Sequence, residues 1–159
     1  MTQTEKFMLL PILMGLVAGQ RAMTPLSALA GAARRGTLLH ENAQSHLMAR
    51  PVIAAGGVVM VAAEMAGDKM KSAPDRTVFL GLLARTISSA FAGATLAPPK
   101  RQLAGAALGV GAAITSSYAG LAARKWAMAR WGQSKTGFVE DAIVFAAANL
   151  IANAKPPRT

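Results

Sequence analysis

The sequence predicts an all-α, polytopic membrane protein of about five transmembrane helices, the first of which is broken near residues 19–25. Three observations support this fold class. Hydrophobic residues make up 53% of the 159 residues, and the mean hydropathy is +0.36. Charged residues make up only 15%, against roughly a quarter in soluble domains. Apolar runs of about the length needed to cross the hydrocarbon layer also recur along the chain.

The first predicted span covers about 7–33 as two helical pieces that meet near 20–24. Arg21 interrupts the apolar run, and Thr24-Pro25 follows it. Threonine can cap a helix and proline suits its first position, so this pair predicts a new helix start. Lys6 ahead of the apolar run resembles a signal peptide, but the further apolar sequence after Arg21 favours a retained helix.

A polar connector, 34–50, follows the first span and has room for a short interfacial helix. The remaining predicted spans are 51–67, 77–97, 102–123 and 137–154. A charged turn is predicted at 68–76, and Trp126 and Trp131 between the last two spans are typical of an aromatic belt. The whole chain, 1–159, is then one transmembrane domain with a flexible tail at 155–159.

The distribution of basic residues between the two sides of the membrane does not predict the orientation of these five spans. One side carries eight of them (Lys6, Lys69, Lys71, Arg76, Arg124, Lys125, Arg130, Lys135) and the other seven (Arg34, Arg35, Arg50, Lys100, Arg101, Lys155, Arg158). The positive-inside rule needs an asymmetry in this number. Either a span is miscounted or the first helix dominates, or the protein inserts in both orientations as an antiparallel dimer.

Composition argues against several classes of function. The net charge of +10 fits loops beside anionic headgroups, and no basic helix with interleaved aromatics predicts nucleic-acid binding. Cysteine is absent, and His40 and His46 have no further histidine or cysteine to form a metal site. No catalytic set is recognisable, so we expect neither an enzyme nor a cofactor.

Ionisable residues within or near the spans are the candidate site. The basic ones are Arg21 and Arg85, and the acidic ones are Glu64, Asp68, Glu140 and Asp141. Glu64 and Asp68 are four residues apart and share a helix face if the helix continues that far. Such charges face protein or water and tend to pair with one another. They either hold the helices together or line a cavity for an ion, a proton or a headgroup.

The break itself suggests an anion site. A helix that restarts at Thr24-Pro25 directs unpaired backbone N–H groups and a positive dipole into the membrane, and Arg21 adds charge beside them. The alternative is a simple proline kink in which Glu64 or Glu140 neutralises Arg21. Hydroxyls at Ser88, Ser89 and Thr115–Ser117 either line a polar path or bind neighbouring helices, and Gly105-x-x-x-Gly109 is a small-residue packing face.

The motifs Gly19-Gln-Arg-Ala-Met-Thr-Pro-Leu, Glu64-x-x-x-Asp68-Lys69 and Glu140-Asp141 resemble a bacterial family of small membrane proteins catalogued as domain of unknown function 4126. The resemblance covers nearly the whole chain, although 36–50 and the tract around Trp126–Trp131 match no part of the pattern. It implies a membrane protein and supports the choice of Arg21, Glu64, Asp68, Glu140 and Asp141. It implies no substrate, because the family has no assigned activity.

We therefore expect a homo-oligomeric protein of the bacterial inner membrane. Its expected partners are membrane lipids and a small ion or anionic ligand, without nucleic acid. The first functional hypothesis is a channel or transporter-like protein with its polar site at the broken helix. The second is a structural or lipid-interacting membrane protein whose buried ion pairs only stabilise the bundle.

Overall fold

A computed structural model describes residues 3–67 and 79–154 of the chain, apart from the side chains of 3–6 and 134. The described parts contain helices and short connections and no strand, so the all-α prediction is confirmed. The helices are α1 (Gln3–Gln20), α2 (Met23–Arg34), α3 (Ala43–Met48), α4 (Pro51–Gly67), α5 (Phe79–Leu96), α6 (Gln102–Trp131) and α7 (Gln133–Ala152).

Several predicted boundaries are confirmed. The break in the first apolar run lies between Gln20 and Met23, and α4 has the predicted bounds. The connector holds the short helix α3, which begins with a capping box: the Asn42 side chain accepts a hydrogen bond from the Ser45 N–H, and the Ser45 hydroxyl accepts one from the Asn42 N–H. The predicted turn at 68–76 and the tail at 155–159 lie outside the described residues.

The last two helices are longer than predicted. Helix α6 continues to Trp131 and α7 begins at Gln133, so both helices extend into the tract 124–136 between the predicted spans. The physical reason is that alanine, methionine, lysine and arginine, which dominate 124–130, are good helix formers. Only Gly132 separates the helices, and its φ of 82° is a backbone conformation that favours glycine.

Helices α1, α5 and α6 form a closely packed group in which glycines permit backbone contact. A Cβ atom added to Gly15 would meet the carbonyl of Gly109 on α6, and one added to Gly19 would meet Ser116 farther along α6. Helices α1 and α6 therefore run in the same direction. Gly93 on α5 faces Gly105, and the earlier residue Ser89 faces Gly109, so α5 runs in the opposite direction to α6. This is the close approach of small residues that the sequence predicts for membrane helices.

Helix α2 does not continue the line of α1. A straight helix from Phe7 to Arg34 would be about 40 Å long, and the chain from Arg34 to His40 can reach back at most about 21 Å. The rings of Phe7 and His40 nevertheless touch, with centroids 5.6 Å apart. The chain therefore bends at Arg21 and returns towards the beginning of α1. The predicted break is present, but its two pieces do not form one straight segment.

Helices α4 and α7 flank α2. Gly57 of α4 lies against Ser27, and Glu64 reaches Ala22, so α4 runs antiparallel to α2. Helix α7 runs parallel to α2, because Asp141 in its middle contacts Arg21 before α2 while Asn153, just after its end, contacts Arg35 after α2. The two groups of helices share an apolar core formed by Met14, Val17, Ala28, Leu29, Ala32, Ala92, Leu96, Val144, Ala148 and Ala152. The bend at Arg21 thus lies where both groups meet.

Candidate functional site

The guanidinium of Arg21 forms an ion pair with the carboxylate of Asp141 on α7. Arg21 is only 1% exposed and Asp141 is 6% exposed, so both charges are withdrawn from solvent. Breaking such a pair from one side leaves an uncompensated buried charge. The sequence alone suggests Glu64 or Glu140 as the group that neutralises Arg21. In the structure Asp141, which follows Glu140 in the sequence, forms an ion pair with Arg21.

Glu64 of α4 binds the amino-terminal end of α2. Its Oε1 accepts a hydrogen bond from the Ala22 N–H at 2.8 Å, and its Oε2 accepts one from the Met23 N–H at 3.0 Å. The first N–H groups of a helix have no partner within the helix, and the helix dipole makes this end positive. A carboxylate of the protein itself therefore occupies the place that the sequence suggests for an anion.

Thr24 does not act as the predicted cap. Helix α2 begins at Met23, one residue earlier than Thr24, and the N-cap position falls on Ala22, which has no side-chain hydrogen bond to the helix. Thr24 is 1% exposed, and within the described ranges its hydroxyl has no hydrogen-bond partner. Pro25 lies in the first turn, where its missing N–H removes no bond within the helix.

The carboxyl end of α1 is satisfied by α6. The Ser117 hydroxyl donates to the Gly19 carbonyl at 3.1 Å, and the Ser116 hydroxyl donates to the Leu16 carbonyl at 2.7 Å. The Gln20 amide donates to the Ser116 carbonyl at 2.8 Å. These hydroxyls bind a neighbouring helix, which is one of their two predicted roles. Both sides of the break are thus held by groups of the protein.

The other candidate residues occupy different places. Glu140 faces Arg124 of α6, with their closest charged atoms 3.6 Å apart. Arg85 is buried in α5, 6% exposed, and its carbonyl accepts a hydrogen bond from the Ser88 hydroxyl. Asp68 lies outside the described residues, so its shared face with Glu64 stays a prediction. The structure therefore brings Arg21, Glu64 and Asp141 together around the bend.

Sequence reasoning missed Gln20 and Arg124 as site residues. Arg124 was assigned to a loop because the end of α6 was placed before it. The good helix formers after residue 123 were a signal that α6 continues past Arg124, as it does in the structure. For Gln20 the only signal was its place beside the break.

A cavity of about 510 Å³ lies between α6 and α7 and is open along one side. Its walls are mainly apolar, and its lining comprises Gln20, Gly120, Ala123, Arg124, Ala127, Trp131, Lys135, Thr136, Val139, Glu140, Ile143 and Val144. A volume of this size, with few polar groups, is typical of a site for an organic ligand. We call it the α6–α7 groove. No three metal-binding side chains converge anywhere in the described part of the chain.

No family model matches the chain, and no curated protein or solved structure is detectably similar to it. The resemblance to domain of unknown function 4126 therefore stays a prediction.

Proposed function

We propose that the protein is a multi-pass, lipid-interacting membrane protein in which the charges at the α1–α2 bend stabilise the helix bundle. The observation that carries this proposal is the position of Glu64, whose carboxylate binds two N–H groups, those of Ala22 and Met23, at the start of α2. Together with the Arg21–Asp141 pair, this contact gives the charged and polar groups at the bend partners within the protein. This arrangement favours the second of the two functional hypotheses.

Two helices, Phe79–Leu96 and Gln102–Trp131, are long and apolar enough to cross a membrane. Only 39% and 22% of their apolar windows are buried, whereas the core helix of a soluble protein is mostly buried. Helices α1 and α4 contain shorter apolar stretches, Phe7–Gln20 and Pro51–Ala66. This distribution supports a lipid environment around several helices.

The outer surface supports the same environment. Large apolar side chains are widely exposed in every long helix of the described part, including Leu9, Val52, Phe79, Leu103 and Leu150. Contiguous apolar surface of this extent on a soluble protein marks a membrane or protein contact. Helix α4 packs mainly against α2 and leaves most of its apolar surface uncovered. We propose lipid and a second copy of the chain as its neighbours, in the bacterial inner membrane that the family resemblance suggests.

A flux measurement tests the proposed role of the bend. The purified protein is reconstituted in liposomes, and anion and proton flux are compared with protein-free vesicles and with Arg21→Ala. We expect no flux above the protein-free level from folded wild-type protein, because the protein's own carboxylates occupy the bend. Flux through the wild type that Arg21→Ala abolishes would overturn the proposal in favour of a transporter.

One observation favours the channel or transporter-like hypothesis as a second candidate. Glu64 places the only negative charge of this contact on an amide site suited to anions. A neutral side chain at this position would bind the Ala22 and Met23 N–H groups more weakly and let an external anion compete for them. This candidate predicts that Glu64→Gln increases chloride flux at neutral pH, while the exposed-site control Glu41→Gln does not. Our first proposal predicts no flux in either variant.

A further inference from the structure

We propose that the α6–α7 groove binds an anionic phospholipid, with one acyl chain between the two helices and the phosphate at Lys135. The inference rests on the proposed lipid-interacting membrane function and assigns the site and the charge of the lipid. The groove supplies two chemically different parts, an apolar channel and a basic mouth.

The apolar part exists because α6 and α7 separate from one another. A single residue, Gly132, joins them, yet α6 packs mainly against α1 and α5 while α7 packs mainly against α2. The walls between them carry Ala123 and Ala127 on α6 and Ile143 on α7. Small side chains on one wall and branched ones on the other leave a channel that is open laterally. In a membrane, lipid acyl chains are the apolar molecules at such an opening.

The mouth of the groove is basic. Of the charged residues that line the groove, Arg124 and Lys135 are basic and Glu140 is acidic, which gives a net charge of +1. Arg124 forms an ion pair with Glu140, so the net positive charge of the lining lies at Lys135, which is exposed at the mouth. Basic pockets between membrane helices bind anionic headgroups. This charge complementarity favours an anionic lipid over a zwitterionic one.

The two tryptophans place the mouth at the level of the headgroups. Trp131 lines the groove, and Trp126 packs edge-on against it with centroids 5.6 Å apart. The Arg130 guanidinium lies 4.4 Å from the centre of the Trp126 ring. Exposed tryptophans beside basic residues are typical of the membrane interface. A lipid whose headgroup lies at this level can extend an acyl chain along the groove towards Gln20.

Tryptophan fluorescence provides a direct test, because Trp126 and Trp131 are the chain's two tryptophans. In a Trp126→Phe background, Trp131 reports on the groove alone. The full chain is reconstituted in phosphatidylcholine vesicles that contain a brominated phosphatidylglycerol or a brominated phosphatidylcholine. We expect the anionic lipid to quench Trp131 at lower mole fractions. Lys135→Gln should weaken the apparent affinity for the anionic lipid about five-fold, the effect of one basic residue near an anionic surface.

Two further variants separate specific from general effects. Arg101→Gln removes a basic residue at the opposite end of α6 and should leave the preference unchanged. Ala127→Phe fills the groove without altering charge and should reduce quenching by both lipids. Equal quenching by the two lipids, a preference that persists in Lys135→Gln, or quenching unaffected by Ala127→Phe would overturn the site. Co-flotation with the vesicles measures membrane insertion separately, so failure of the lipid site is distinguishable from failure of the proposed function.

Discussion

Arg21 is a charge withdrawn almost completely from solvent and paired with Asp141 of another helix. In hydrocarbon or in a protein interior, an ion with such a partner is tolerated, whereas the same ion alone is strongly unfavourable. Glu64 has a different task, because its partners are backbone N–H groups rather than a cation. The three residues thus satisfy separate demands of one bend: a buried cation, its counter-ion and a helix start.

His40 is the residue whose titration should affect stability. Burial lowers its pKa from 6.5, and its Nε2 is shielded without a hydrogen-bond partner within the described ranges. The unfolded chain therefore binds the proton more readily than the folded chain. The contribution of His40 to stability should be complete above about pH 6.5 and decrease as the pH falls below it.

Thermal unfolding in detergent between pH 7.5 and pH 5 measures this effect. We expect His40→Gln to remove part of the acid-induced decrease in Tm, while His46→Gln, at an exposed position on α3, retains it. An identical pH dependence in His40→Gln and the wild type would show that His40 is not responsible.

At the scale of helices, the fold depends on close contact between backbones. Gly15 and Gly19 place α1 directly against α6, and Gly93 and Gly105 do the same for α5 and α6. Without a hydrophobic effect between helices in lipid, this packing is a principal source of association. It also brings Ser116 and Ser117 within reach of the last carbonyls of α1. Helix packing therefore positions the bend.

Gly15→Ala tests that packing. The added methyl group would lie 2.9 Å from Ala112 Cβ and against the Gly109 carbonyl, so α1 and α6 would have to separate. We expect a loss of about 1–3 kcal/mol in the free energy of unfolding, as is typical of overpacking. Gly111→Ala is the matched control, because a Cβ there meets no atom within 4 Å. An equally small effect of both substitutions would contradict the described α1–α6 contact.

At the scale of the whole molecule, the return of the chain after Arg21 changes the predicted topology. A single crossing through 7–33 would place the beginning of α1 and the connector 34–50 on opposite sides of a membrane. The contact between Phe7 and His40 places them on the same side. On this path Lys6 moves to the side of the connector, which again gives eight basic residues on one side and seven on the other. The positive-inside rule therefore still predicts no orientation.

Cysteine labelling distinguishes the two paths without background, because the chain has no cysteine. In sealed vesicles, Glu5→Cys and Glu41→Cys should react with a membrane-impermeant maleimide from the same side. Gln133→Cys, at the first residue of α7, should react from the other side. Labelling of Glu5→Cys and Glu41→Cys from opposite sides would restore the straight first span, and labelling of each from both sides would indicate dual topology.

The sequence was sufficient for the helices and for the break, because apolar runs and a charge within one of them are local features. It was not sufficient to predict which acidic residue pairs with which arginine. Glu140 and Asp141 are adjacent, and adjacent residues on a helix point about 100° apart. Only the rotation of α7 against α2 decides that Asp141 meets Arg21 while Glu140 meets Arg124. The direction of α2 could not be predicted either, because an apolar run shows how long a helix can be but not how it is oriented relative to the preceding helix.

The most direct test of the central claim, that the charges at the bend are structural, is a double-mutant cycle on Arg21 and Asp141. The free energy of unfolding is measured for Arg21→Met, Asp141→Leu and the double variant. Each single substitution should cost about 3–5 kcal/mol, because it leaves a buried charge without its partner, and the double variant should recover most of that loss. Arg124→Gln should cost less than Arg21→Met, because the Arg124–Glu140 pair is more exposed and its charges are farther apart. Wild-type stability in both single variants, or a double variant that loses the sum of the two, would contradict this account.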